Sequence, residues 1–174
     1  RKDGQMSTFV LVHGSWHGGW CWEEIAQRLS ARGHTAISPD LRSLAGDPTP
    51  PGSVTLDMWT GQISEIIRAQ QDPVVLVGHS RGGIVISAVA EALPDRISSL
   101  VYLCAFLVPN GKAMIELAKT DTESIILPNL TLNEAEGVHV VDPAFHRQIF
   151  YGECTEDQAI RASARPPISA KPAA

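Results

Sequence analysis

Val74-Val75-Leu76-Val77-Gly78-His79-Ser80-Arg81-Gly82-Gly83-Ile84-Val85-Ile86-Ser87-Ala88-Val89-Ala90 is the stretch that decides the fold. Its first four residues are apolar and mostly β-branched, the composition of a buried parallel strand. Its last seven are apolar enough for a buried helix. Between them stands Gly78-x-Ser80-x-Gly82. A residue at the tip of so tight a turn is held in a strained backbone conformation. The flanking glycines let strand and helix approach each other. The turn lifts the Ser80 hydroxyl over the N-terminus of the helix, where free N–H groups and the helix dipole favour negative charge. The plainer alternative is a serine that only caps the helix. The strand before it and the helix after it favour a nucleophile.

Upstream, residues 8–12 form a first apolar, β-branched strand that stops at His13-Gly14. The loop that follows holds Gly14, Gly18 and Gly19 with Trp16, Trp20 and Trp22. It is not a G-x-G-x-x-G sequence, so it does not read as a dinucleotide site. A loop leaving the carboxyl end of a strand is where α/β proteins bind ligands. Residues 22–30 carry Trp22, Ile25, Ala26 and Leu29 at helical spacing, with Gly33 as the C-terminal stop. A short strand spans 35–38. Thr55 caps a second helix whose inner face is Leu56, Trp59, Ile63, Ile66 and Ile67. After the Ser80 helix, residues 100–106 make a further strand. This alternation predicts an α/β fold with a doubly wound, mostly parallel sheet.

Gly78-His79-Ser80-Arg81-Gly82-Gly83, with Phe9-Val10-Leu11-Val12-His13-Gly14-Ser15 upstream, resembles the α/β-hydrolase superfamily. The longer run His13-Gly14-Ser15-Trp16-His17-Gly18-Gly19-Trp20-Cys21-Trp22 is similar to one branch of it. That branch holds plant methylesterases, bacterial aryl- and pyrethroid esterases, and the related hydroxynitrile lyases. The likeness covers most of the chain up to Phe106 and weakens beyond it.

The resemblance implies a site. Ser80 is the nucleophile, and the backbone N–H groups of Ser15 and Arg81 form the oxyanion hole. Gly14 and Trp16 contact substrate. The Arg81 side chain is expected at the surface or facing a cap. The superfamily orders its triad as serine, acid, histidine, with a mobile cap inserted before the acid. Residues 6–108 therefore read as the N-terminal part of the hydrolase core. Residues 109–174 read as a helical cap insertion and a truncated tail, with helices near 112–118, 145–150 and 156–164. No strand pattern follows Ala164, so the C-terminal strands that carry the acid and histidine are expected to be missing from this chain. The open sheet edge is a liability in a monomer. It implies completion by a second copy, as a homodimer, or by a complementing C-terminal segment.

The other histidines read as structural. His13 bonds loop backbone near the oxyanion hole, His79 points away from Ser80, and His139 and His146 lie on the cap surface. His13 and His17 have metal-like spacing but sit on a glycine-rich loop with no third ligand, so no metal is expected. Asp40 reads as a turn-stabilising carboxylate, paired with Arg42.

Length and composition bound the rest. The 174 residues suffice for one domain with a core, and the net charge of −5 with scattered basic residues argues against nucleic acid or an anionic membrane surface. The sequence holds no membrane-spanning run, and no secretion signal is expected, since the first residues lack an apolar stretch of sufficient length. The three cysteines, Cys21, Cys104 and Cys154, make no disulfide framework. Cys104 reads as a small buried hydrophobe, and the compartment as cytoplasmic.

The function these features imply is a serine carboxylesterase acting on small hydrophobic or aromatic esters without a cofactor. A hydroxynitrile lyase and a catalytically incomplete, hydrolase-like binding protein are the alternatives.

Overall fold

The computed structural model describes residues 6–134 and 137–165. The segment 1–5 and the proline-rich tail 166–174 lie outside the described residues.

The fold is an α/β layer structure built on four parallel strands. In chain order these are β1 (Thr8–Val12), α1 (Glu23–Ser30), β2 (Thr35–Ile37), α2 (Leu56–Arg68), β3 (Val74–Ser80), α3 (Gly82–Ala92) and β4 (Ile97–Ala105). The sheet order is β2-β1-β3-β4, every pair parallel. The chain starts in the middle, steps outward to β2, then returns across β1 to build β3 and β4. The order therefore reverses between β1 and β3. At such a switch point the loops leaving the two strands diverge and open a crevice.

Strand alternation sorts side chains to opposite faces of the sheet. Val10, Val12, Val74 and Leu76 pack against Trp59, Ile63 and Ile67 of α2 and Val85, Ile86 and Val89 of α3. Leu11 and Val77 face the other way, against Trp22 and Leu29 on the α1 side. Helices cover both faces, so the sheet is doubly wound.

The element ends obey local chemistry. The Thr55 hydroxyl accepts from the Met58 amide and starts α2. Gly33, at φ +81°, turns the chain after α1.

Three expectations change. Ile25 and Leu56 are exposed rather than buried, because Ile25 stands outside the clusters that pack on the sheet and Leu56 occupies the first position of α2. Cys104 is exposed rather than buried. It sits on β4, an edge strand among the described residues, along with exposed Leu100, Val101 and Leu103. The segment after β4 is not purely helical. It holds α4 (Met114–Ala118), an antiparallel hairpin of β5 (Leu130–Asn133) and β6 (Val138–Val141), then α5 (His146–Phe150) and α6 (Glu156–Ser163). The Thr155 hydroxyl and the Gln158 side chain cap α6 reciprocally. No described helix is long and apolar enough to cross a membrane.

Ile63 is fully buried, whereas Ile25 is 43% exposed. Ile63→Ala is expected to cost about 3 kcal/mol of unfolding free energy, and Ile25→Ala less than about 0.5 kcal/mol. Urea denaturation of the two variants checks this. Equal losses would show that the α1 face is covered in solution.

Candidate active site

β3 ends in the turn that carries Ser80. Ser80 has φ +53°, a left-handed conformation rare outside glycine. The Phe106 amide donates to the Ser80 carbonyl, tying the turn to the end of β4. The glycines around it are required by contact. A Cβ on Gly78 would lie 2.8 Å from the carbonyl carbon of Gly82, and a Cβ on Gly82 2.7 Å from the Val12 carbonyl oxygen. The expected strained turn between strand and helix is present.

The loop after β1 runs against this turn. A Cβ on Gly14 would stand 2.7 Å from Ser80 Cβ and 3.3 Å from Ser80 Oγ. Gly14, Ser15 and Ser80 are thus brought together from the two central strands. His13 organises the loop. It is fully buried, and the Leu41 amide donates to its Nε2 at 3.0 Å. That leaves Nδ1 to carry the proton, which it donates to the Gly14 carbonyl at 2.8 Å. The Gly14 carbonyl and the Ser15 N–H belong to one peptide plane. By holding the carbonyl, His13 sets the direction of the Ser15 N–H.

A second imidazole clamps the next peptide. His17 Nδ1–H donates to the Ser15 carbonyl at 3.0 Å, and its Nε2 accepts from the Tyr151 hydroxyl at 3.2 Å. Trp16, at φ +59°, donates its indole N–H to the His139 carbonyl at 3.0 Å. The loop is thereby tied to β6 and to the end of α5. Sequence reading missed Tyr151 and the role of His17, because the bond that fixes the His17 ring joins it to a residue more than a hundred positions away.

Above Ser80 opens a cavity of about 890 Å³. Ser15, Trp16 and Ser80 line its floor, and Met114, Ile126, Leu130 and Phe150 line the side contributed by residues after β4. Of the three loop tryptophans, Trp16 faces this cavity. Trp22 is buried against the sheet, and Trp20 packs beside His17. His139 lines the cavity, but among the described residues no histidine hydrogen-bonds Ser80 Oγ. The His79 ring stands edge-on to Trp22, 6.4 Å away. His146 is engaged elsewhere: its Nε2–H donates to the Val141 carbonyl at 3.0 Å.

Two charged residues depart from expectation. Asp40 does stabilise a turn, but its partner is the Gly19 amide at 2.7 Å rather than Arg42. Backbone N–H groups of a glycine-rich loop offer a carboxylate a closer, fixed donor. The Arg81 side chain is not at the surface. It is 1% exposed and stacks on Trp59, 4.5 Å from the ring centroid. Residue 81 opens the turn into α3, and that position directs its side chain under the loop into the core.

The sequence pattern of the Alpha/beta hydrolase family matches residues 9–173. The chain belongs to the alpha/beta hydrolase family. It is 41% identical over 114 residues to a carbendazim hydrolyzing esterase of Nocardioides sp. (strain SG-4G), covering 64% of this chain and 47% of that protein. It is 29% identical over 167 residues to esterase PIR7B of Oryza sativa subsp. japonica, covering 87% and 62%. Among solved structures, an extracellular alpha/beta-hydrolase from a Paenibacillus species superposes with TM-score 0.77 at 27% identity, covering 95% of this chain and 68% of that one. The chain therefore spans about half to two thirds of the length of these relatives. Within the family it falls in the esterase branch that includes methylesterase 1 of Arabidopsis thaliana, 37% identical over 112 residues.

Burial dominates the acid–base behaviour here. Desolvation pushes the His13 imidazole down to about 4 from an ordinary value near 6.5, with the Arg81 charge adding to the shift. Burial also lowers His17 and His79. A depressed histidine pKa means that the unfolded chain takes up its proton first. The stabilisation is complete above pH 6.5 and is lost as pH falls from there toward 4, by about 3 kcal/mol for His13 alone. Nitrogen-15 NMR is expected to show His13 neutral at pH 5.5, with the proton on Nδ1. A protonated ring at that pH would break the Leu41 and Gly14 assignment.

Proposed function

We propose that this chain supplies the nucleophile, the oxyanion hole and part of the substrate cavity of a serine carboxylesterase for small hydrophobic or aromatic esters. The observation that carries the reading is Ser80. It sits in a strained left-handed turn at the floor of an 890 Å³ cavity, against the Gly14-Ser15 loop. A serine held there presents Oγ to the cavity, and the strain is compensated by the contacts around it.

Two backbone donors serve the oxyanion. One is the Arg81 N–H, at the start of α3. The other is the Ser15 N–H, aimed by the His13 contact to Gly14. Fixed backbone donors need no reorganisation as charge develops, which is the main electrostatic advantage of such a site. Trp16 and Gly14 form the adjacent substrate wall. Residues 6–108 act as the N-terminal part of the core and residues 109–174 as cap and tail, and the apolar cap side chains that line the cavity exclude water.

The reaction follows from these parts. Ser80 Oγ attacks the ester carbonyl carbon and passes its proton to a base. The carbonyl π electrons move to the oxygen, where the two N–H groups hold them. The tetrahedral intermediate expels the alcohol, which takes the proton from the base. Water then hydrolyses the acyl-enzyme by the reverse proton path. The base comes from outside the described residues, either from a C-terminal segment or from a second chain. The esterase names of the relatives support the ester class.

The test is intact mass spectrometry with a fluorophosphonate probe on the full-length protein. One adduct is expected, absent in Ser80→Ala, and Ser80→Ala is expected to lower hydrolysis of aryl acetates by about a thousandfold or more. Gly14→Ala, which crowds Ser80, is expected to slow labelling by about tenfold or more with the fold retained. Unchanged labelling of Ser80→Ala would move the nucleophile elsewhere.

A further inference from the structure

Arg81 is the most unusual charge in the molecule. Its side chain is 1% exposed, and among the described residues Nε and Nη2 have no hydrogen-bond partner. Among the described residues no carboxylate forms an ion pair with it. The ion pairs among the described residues, Lys112–Glu116 and Arg165–Glu23, are elsewhere and on the surface. Its guanidinium stacks on the face of Trp59, whose own indole N–H is taken by the Arg42 carbonyl. A cation–π contact offsets only part of the desolvation of a guanidinium. A leucine or methionine would fill this volume without that cost. For stability alone, an arginine is the wrong residue here.

The position of the charge explains it. Burial brings the guanidinium down to about 10, so it stays protonated at neutral pH. It is close enough to His13 for its field to help depress that imidazole. His13 directly precedes the Gly14-Ser15 peptide, and Arg81 directly follows Ser80. The positive charge itself rests on Trp59, in the core cluster that also holds Val12, the last residue of β1 before His13, and Val85 of α3. In a water-excluded interior its field is weakly screened.

We propose that the Arg81 guanidinium is held unpaired in the core so that its positive field stabilises the anion formed on substrate at Ser80. Its backbone N–H touches the oxyanion, while its side chain acts at a distance, through the protein interior. This rests on the serine-esterase reading above. It separates two roles of one residue: the N–H survives replacement by any residue but proline, and the charge is lost with any neutral one.

The experiment uses the full-length protein with Arg81→Met, Arg81→Lys and Ser80→Ala. The probe is an arylboronic acid: Ser80 Oγ adds to boron as its proton passes to the base, and the product is a tetrahedral boronate anion with one oxygen in the oxyanion position. The matching neutral aryl amide reports the cavity alone. Arg81→Met is expected to weaken boronate binding and lower kcat by about tenfold or more. KM and affinity for the neutral amide should stay within about twofold. Its melting temperature should be unchanged or higher, since an unpaired buried charge is removed. Arg81→Lys should restore most of the boronate affinity. If Arg81→Met fails to fold, Arg81→Gln against Arg81→Lys reads the same contrast. Unchanged boronate affinity in the neutral variants would overturn the proposal. So would a lowered melting temperature with kcat and KM following only the folded fraction, because that would reveal a hidden carboxylate partner. If the wild type binds no boronate, or Ser80→Ala keeps full hydrolysis, the esterase reading itself fails and the proposal falls with it.

Discussion

The close approach of three backbones at the end of β3 is the constraint on which this molecule depends. Gly82 lies so near the Val12 carbonyl, and Gly78 so near Gly82, that a single Cβ at either place would collide with main chain. Main chain cannot yield as a flexible side chain can. That approach fixes where α3 begins relative to β1 and β3. It also forces Ser80 into the left-handed region. The sheet order follows the same geometry. β1 and β3 must be neighbours for Gly82 to meet Val12, and this places the topological switch point at Ser80.

The loop after β1 inherits its shape from that contact and from two histidines used as struts. Each imidazole joins a donor on one side to an acceptor on the other, and each therefore has a single neutral tautomer. His13 spans from Leu41 to Gly14, and His17 from Tyr151 to Ser15. Burial keeps both neutral, which is what lets each ring donate and accept at once. The first strut belongs to the core. The second reaches into the segment after β4, so the position of that segment and the shape of the loop are mechanically linked.

Much of this was legible in the chain. The strand, Gly-x-Ser-x-Gly turn and helix around Ser80 are local features with period and composition of their own. So are the Thr55 cap, the Gly33 stop and the inner face of α2 at Trp59, Ile63 and Ile67. The hairpin Leu130–Asn133 with Val138–Val141 was not legible. Its strands are four residues each, and their pairing outweighs a weak local pattern. Cys104 and Ile25 misled for a different reason. Apolar composition marks residues that are able to be buried, and whether a neighbour covers them depends on what packs against β4 and α1.

By itself the sequence determined the fold class, the place of Ser80 at the strand-to-helix turn and the glycines that make the turn, because each rests on near-neighbour sterics and on periodicity. Tertiary structure alone decided the environment of the site. Which side chains roof the cavity, which atoms His13 and His17 join, and where the Arg81 guanidinium comes to rest all depend on contacts between residues far apart in the chain. A residue type carries its chemistry with it. The desolvation that unpairs Arg81, and the partners that fix each imidazole, exist only once the layers have closed around them.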